Sequence, residues 1–423
     1  MFHRLICLAL LPTLAWLTSS PPVQAAEPLL KANEFVAVIG DSITEQKLYS
    51  VYIQDYLLLC QPEASLRVAQ FGWGGETAAG FERRMENDML RFKPNVITTC
   101  FGMNDGGYSP MNPDKANGYK NAQTKIVQRC KSAGVRTIVV GSPGCVDSDT
   151  FRNSPEAAQM YNKTLSEERD IAKGVAQAEG VAFADVYGAM YDTMTKAKAK
   201  YGNKYHVGGG DGVHPSQNGH LVMAYAFLKA LGCSGEIGKI TVDLTADKCE
   251  ASAGHKVVAC KAGSVELEST RYPFCFFGDP TKPDATTGVL EFLPFNQDLN
   301  RLTLAVKGGN AEKYTVTWGK ESKTFTKEQL ATGINLAAEF LDNPFSGPFQ
   351  NAQKVIQNQQ NFETPLVKDL LTKLPSFKAM LPDEKEAFDK IAASAVQRDG
   401  DLAKASAAAV MPVPHSLKIE AVR

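Results

Sequence analysis

Apolar-rich runs closed by glycine or by turns, each followed by an amphipathic stretch, organise the first half of the chain. Residues 35–39 (FVAVI) are apolar throughout and end at Gly40, the pattern of a strand buried on both faces. Apolar-rich runs that include polar residues, at 66–71, 96–101, 137–140 and 181–186, predict four more strands. Helical spacing fills 48–59, 77–90, 116–133, 156–179 and 216–231, with Pro94 and Gly134 as stops. This alternation predicts an α/β domain over 27–235, a mostly parallel sheet covered by helices on both faces. In such sheets the chemistry sits at the carboxyl ends of the strands, where the glycines at 40, 72, 74, 75 and 102 fall.

After Gly235 the period changes. Residues 240–245, 256–260, 264–268, 289–293, 302–306, 314–317 and 323–326 are short β-rich runs separated by turn residues, predicting a β-sandwich-like domain over 236–326. Helical patterns follow at 328–340, 349–374 and 382–409, and residues 415–422 alternate again. Residues 327–423 are therefore expected as a helical tail with a terminal strand returning to a sheet. Tyr272, Phe274, Phe276, Phe277, Phe295, Tyr314 and Trp318 read either as a sugar-binding face or as sandwich core, and burial preferences favour core.

Composition adds bounds. The 423 residues carry a net charge of −1 and are 44% hydrophobic, so no basic surface points to nucleic acid. Residues 1–4 are positively charged, 5–17 are apolar, and Val23-Gln24-Ala25 supplies small residues before a cleavage point. That is the form of a signal peptide over 1–25, cut after Ala25 or Ala26. The run is too short to span a bilayer and is interrupted by Pro12. The mature protein is expected to be exported, periplasmic or extracellular, and not membrane-spanning. Cys249 and Cys260 flank an apparent hairpin and are the expected disulfide; Cys100 is expected as a buried thiol. No C-x-x-C is present, so neither a redox nor a zinc motif is indicated.

Four stretches carry chemistry. Ser42, in Gly40-Asp41-Ser42-Ile43-Thr44, follows the first strand; alone it reads as a helix cap. Gly75 lies in Gly72-Trp73-Gly74-Gly75-Glu76-Thr77, and Asn104 in Gly102-Met103-Asn104-Asp105. Asp211 and His214 stand three apart in Asp211-Gly212-Val213-His214-Pro215. Together these supply what ester hydrolysis needs: a serine oxygen, a base, a group to orient the base, and donors for the oxyanion. His206 and His220 are rival bases, and Asp105 reads as a turn residue. A G-x-S-x-G elbow, a P-loop and a metal constellation are all missing from the sequence, and the chemistry calls for no cofactor.

In order and spacing, the four blocks G-D-S-I-T, W-G-G-E-T, G-M-N-D and D-G-V-H-P resemble those of the SGNH (GDSL-type) hydrolases over residues 27–235. The resemblance implies a flavodoxin-like three-layer α/β/α sheet of order 2-1-3-4-5. It implies Ser42 as nucleophile, His214 as base and Asp211 as its orienter. The oxyanion hole would be the N–H groups of Ser42 and Gly75 with the Asn104 amide. Gln70 stands where the family often has Asn, and Trp73 where a small aliphatic is usual. Trp73 and His206 are candidate substrate contacts. The function expected is an exported serine esterase, most specifically a carbohydrate acetylesterase acting on an acetylated glycan. The alternatives are a lipase or thioesterase, and a glycan-binding surface protein with a degenerate hydrolase domain.

Overall fold

The computed structural model describes residues 29–61 and 65–422; the expected leader at 1–25 lies outside them. β1 (Phe35–Gly40) is buried along its whole length. It pairs in parallel with β2 (Arg67–Gln70) on one side and β3 (Val96–Cys100) on the other. β4 (Thr137–Gly141) and β5 (Ala182–Ala184) extend the sheet, again in parallel. The order β2-β1-β3-β4-β5 is the 2-1-3-4-5 expected.

Between the strands run α1 (Ser42–Glu45), α2 (Tyr49–Asp55), α3 (Ala78–Asp88), α4 (Pro113–Ser132), α5 (Pro155–Glu179), α6 (Val186–Tyr201) and α7 (Gln217–Ala230). Successive strand residues face opposite sides, and β1 divides accordingly. Val36 and Val38 join Tyr49, Ile53, Met190 and Phe227 in one core. Phe35, Ala37 and Ile39 join Phe81, Ile126 and Val175 in the other. The result is three layers, α/β/α, with helices α2, α6 and α7 on one face and α3, α4 and α5 on the other. Helix α6 was not expected; its lysines at 196, 198 and 200 dilute the apolar spacing, and its start is set by Asp185, which accepts from Gly188 N–H.

The second half contributes β6 (Glu236–Asp243), β7 (Lys248–Ala251), β8 (His255–Lys261), β9 (Ser264–Ser269), α8 (Phe295–Asp298), β10 (Arg301–Lys307), β11 (Lys313–Trp318), β12 (Glu321–Thr326), α9 (Lys327–Thr332), β13 (Ile334–Asn335) and α10 (Leu336–Glu339). With a last strand, β14 (Val413–Ala421), the strands form two sheets, β13-β10-β6-β7 and β12-β11-β14-β9-β8. Residues such as Ile240, Leu304, Val265, Val316 and Leu417 share one core between them. The Cys249–Cys260 disulfide forms as expected and ties β7 of one sheet to β8 of the other.

Two expectations change, and the favoured reading of the aromatics holds. Residues 289–293 are not a strand: a 3-10 turn at Thr287–Val289 precedes α8, and the apolar residues there plug the core from a loop. Short apolar runs do not distinguish these cases. The aromatics are core rather than a sugar platform: Tyr272, Phe274, Phe276, Phe295, Tyr314 and Trp318 are all buried, and Phe277 packs against them half-buried. Finally, residues 327–423 are more than a helical tail. β14 (Val413–Ala421) is interior to its sheet, between β11 and β9, so the sandwich extends beyond 236–326.

The helices α11 (Ser346–Pro365), α12 (Leu374–Met380) and α13 (Lys385–Ala408) are thus an insert ahead of the last strand. α11 docks on the α/β half through buried amides. Ser50 Oγ donates to Gln360 Oε1 (2.7 Å), Gln54 Nε2 to Gln359 Oε1 (2.8 Å) and Gln359 Nε2 to Val68 O (2.8 Å). Satisfied buried networks of this kind fix one orientation, which a purely apolar contact does not.

Candidate active site

Asp41, not Ser42, caps α1: its carboxylate accepts from Ile43 N–H at 2.9 Å. Ser42 is the first helical residue, so its N–H has no acceptor within the helix and its hydroxyl is free for other work. Burial pushes the Asp41 carboxyl up to about 7, against the Ile43 N–H, which lowers it.

Ser42 Oγ lies 2.9 Å from His214 Nε2. On the other side of the ring, Nδ1 donates to Asp211 Oδ2 at 2.7 Å, which leaves Nε2 as the acceptor for the serine proton. Asp211 Oδ1 accepts the N–H groups of Val213 (2.9 Å) and His214 (2.8 Å). Partial burial raises the Asp211 pKa, but these N–H donors and the ring outweigh it and hold the carboxyl below its ordinary value. The loop that presents the pair needs glycine: at Gly209, with φ +105°, a Cβ would meet His214 O at 1.8 Å. The side chains of His214 and Asp211 are 34% and 56% exposed, so the site opens directly to solvent.

The oxyanion candidates follow the next two strands, and the turns that carry them are joined to each other. Asn104 Nδ2 donates to Glu76 O (3.0 Å), which joins the third block to the second. Its Oδ1 accepts from Tyr108 OH (3.1 Å), so the amide has one orientation and keeps one N–H for a ligand. Gly75 is exposed on the neighbouring turn. Asp105 does more than form a turn. Its carboxyl accepts from Ala78 N–H (3.0 Å) at the start of α3 and from Gly102 N–H (3.1 Å), and burial raises its pKa to about 6.

The rivals stand apart. His220 is fully buried, accepts from Tyr49 N–H (3.2 Å) and donates to Gln46 Oε1 (2.8 Å); burial drops its pKa to about 3, so it is a neutral structural ring. His206 Nδ1 lies 3.1 Å from Ser216 Oγ, and burial lowers its pKa. A shallow depression of about 320 Å³ is lined by Ser42, Glu45, Gln46, Asp211 and His214. His206, Trp73, Gly75 and Asn104 are not part of this lining. Trp73 is held by two cations, with Arg84 at 4.8 Å and Lys368 at 4.9 Å from its ring centroid. Sequence reasoning missed Glu45, Tyr108 and Lys368. Glu45 and Tyr108 follow recognisable blocks within a few residues, whereas nothing near Lys368 in the chain marks it. Among the described residues no cluster of three or more His, Cys, Asp or Glu is placed to hold a metal ion, and no helix is long and apolar enough to cross a membrane.

Residues 38–222 match the model of the GDSL-like Lipase/Acylhydrolase family. An acetylxylan esterase of Geobacillus stearothermophilus is 25% identical over 225 residues, 48% of this chain and 95% of the relative. A solved structure of an acetylxylan esterase from that organism is 24% identical and covers 48% of this chain and 95% of its own, with a TM-score of 0.40. The structure of a gut microbial diltiazem-metabolizing enzyme covers 93% of this chain and 98% of its own at 20% identity, with a TM-score of 0.70. That likeness extends the shared fold beyond the sheet to the sandwich and the insert.

Proposed function

Because residues 38–222 carry a GDSL-like acylhydrolase domain, which makes the chain a hydrolase of ester bonds, we propose that Ser42, His214 and Asp211 deacetylate an O-acetylated polysaccharide outside the cytoplasm. The observation that carries this is the 2.9 Å contact between Ser42 Oγ and His214 Nε2, with Asp211 behind the ring. Ser42 attacks the ester carbonyl as His214 takes its proton, and the oxyanion rests on the N–H groups of Ser42 and Gly75 and on the Asn104 amide. His214 returns the proton to the leaving sugar hydroxyl. Water then cleaves the acetyl-enzyme by the same steps in reverse roles.

The shape of the site favours a small acyl group on a bulky polar alcohol. The depression is open, and its lining of Ser42, Glu45, Gln46, Asp211 and His214 offers no apolar channel for a long acyl chain, which weighs against a lipase or thioesterase. The acetylxylan esterase relative fits the same reading. The leader pattern at 1–25 and the Cys249–Cys260 disulfide fit an oxidising, exported location. Acetate release from acetylated xylan and acetylated pectin, and p-nitrophenol release from a p-nitrophenyl ester series of rising chain length, test the proposal. Turnover should concentrate on acetyl groups and include at least one polysaccharide; preference for octanoyl or longer esters would contradict it.

A further inference from the structure

Glu45 brings a charge that acyl transfer does not call for. It ends α1, three residues past Ser42, and lines the same depression. A carboxylate there repels the oxyanion developing on the substrate. Three groups answer that charge: Lys47, whose ammonium donates to Glu45 O at 2.6 Å and is drawn to the carboxylate, and two that bond to the carboxylate itself. Gly74 N–H donates to Glu45 Oε2, and Lys368 Nζ donates to Glu45 Oε1 at 2.7 Å. The side chains of Lys368 and Glu45 are only 25% and 22% exposed, so salt screens them less than a surface pair. The same ammonium sits 4.9 Å from the Trp73 ring centroid, one residue before Gly74.

Lys368 reaches the site from the insert, 323 residues away in the chain. After Pro365, α11 continues as a wide π-type turn, Leu366–Leu371, a distortion often found at functional sites. The residues leading into it grip the end of β2. Glu363 Oε2 accepts from Gln70 N–H (2.8 Å), and Thr364 Oγ1 accepts from Gln70 Nε2 (3.0 Å). Gln70 Oε1 in turn accepts from Gly72 N–H (2.9 Å). Gln70, the departure from the family's usual Asn, thus ties the insert to the turn that carries Gly75.

We propose that Lys368 is a positioning residue of the esterase site. Through Glu45 and Trp73 it holds the 72–75 turn against Ser42, and it neutralises Glu45 beside the developing oxyanion. The helical insert is then a working part of the site. This rests on the reading of Ser42 as nucleophile.

The test is kcat and KM on p-nitrophenyl acetate for the wild type, Ser42→Ala, Lys368→Met, Lys368→Arg, Glu45→Gln and the Glu45→Gln/Lys368→Met double variant. Methionine keeps the stem against Trp73 and removes the charge. Lys368→Met should lower kcat about 10-fold with KM changed less than about 2-fold, the size of one lost charge-assisted bond. Lys368→Arg should keep at least about half of wild-type kcat, because the charge remains. In the Glu45→Gln background Lys368→Met should change kcat less than about 2-fold, because no charge is left to answer. Equal losses in both backgrounds, or wild-type kcat in Lys368→Met, overturn the proposal. If Lys368→Met does not fold, the double variant and Lys368→Arg decide: near-wild-type turnover in both supports it, and loss in either overturns it. Turnover surviving Ser42→Ala overturns the nucleophile reading and this proposal together; loss in Ser42→Ala beside an indifferent Lys368→Met overturns this proposal alone.

Discussion

Tyr108 donates its hydroxyl to Asn104 Oδ1 over 3.1 Å, and so decides which edge of the Asn104 amide is free. The ring is itself fixed by stacking on Tyr161 at 5.0 Å between centroids. Tyr108→Phe keeps the stack and removes the bond. It should lower kcat about 2- to 10-fold, the range of one neutral hydrogen bond, with KM nearly unchanged. Asn104→Ala should cost about 2.7–4 kcal/mol of transition-state stabilisation. Steady-state kinetics on p-nitrophenyl acetate separate the two; an Asn104→Ala enzyme with wild-type kcat would remove Asn104 from the oxyanion hole.

Asp211 holds Nδ1 of His214 at 2.7 Å, but its side chain is 56% exposed. Water can solvate the imidazolium in its absence, so Asp211→Asn should lower kcat by about 10²-fold, the low end of the acid–base range. The Asp211 carboxyl lies below its ordinary pKa, so protonation of Asp211 should not limit activity anywhere above the ordinary carboxylate range. An acid limb above pH 5 that disappears in Asp211→Asn would contradict this.

Buried carboxyls set a slope in stability at high pH. Neither oxygen of Glu168 has a protein hydrogen-bond partner. Burial raises its pKa to about 9, and Glu363 is raised to about 8, chiefly by burial. In this window the folded state holds protons that the unfolded chain has released, so stability falls as pH rises from about 5 to about 9. Each group contributes at most about 1.4 kcal/mol per pH unit. Glu168→Gln removes one titration, and its loss of melting temperature between pH 6 and pH 9 should be smaller than that of the wild type. Parallel curves would contradict the assignment.

The Cys249–Cys260 bridge closes a sequence separation of 11 and links the two sheets of the sandwich. The Cys249→Ser/Cys260→Ser pair should cost about 3 kcal/mol on the chain-entropy account, read as a lower melting temperature. Esterase turnover at 25 °C should be unchanged, since neither residue is near the strand ends of the hydrolase sheet. Loss of turnover in a folded double variant would tie the sandwich to the site in a way the structure does not show.

What was legible in the sequence was local. Gly40, Gly75, Asn104 and the Asp211–His214 pair sit where strands or loops end, so short blocks marked their positions. The terminal strand was legible because residues 415, 417 and 419 alternate with polar ones, and those three are buried in β14. Residues 289–293 misled because an apolar run reads alike in a strand and a buried loop. Lys368 was illegible for a different reason. Its meaning lies in Glu45 and Trp73, brought to it by α11 docking on α2 and β2, and no periodicity near residue 368 encodes that contact. The aromatics of the second half were ambiguous until the sheets that bury Trp318 and Tyr314 were in place.

On the proposed function, the Ser42 hydroxyl, 2.9 Å from His214 Nε2, is the group acylated in turnover. The direct measurement is hydrolysis of p-nitrophenyl acetate by wild type and Ser42→Ala, with the acetyl adduct trapped and mapped by mass spectrometry. An adduct on Ser42 and a fall in kcat on the order of 10³-fold or more in the variant are expected; an adduct elsewhere, or a near-normal rate in Ser42→Ala, would remove Ser42 as the nucleophile.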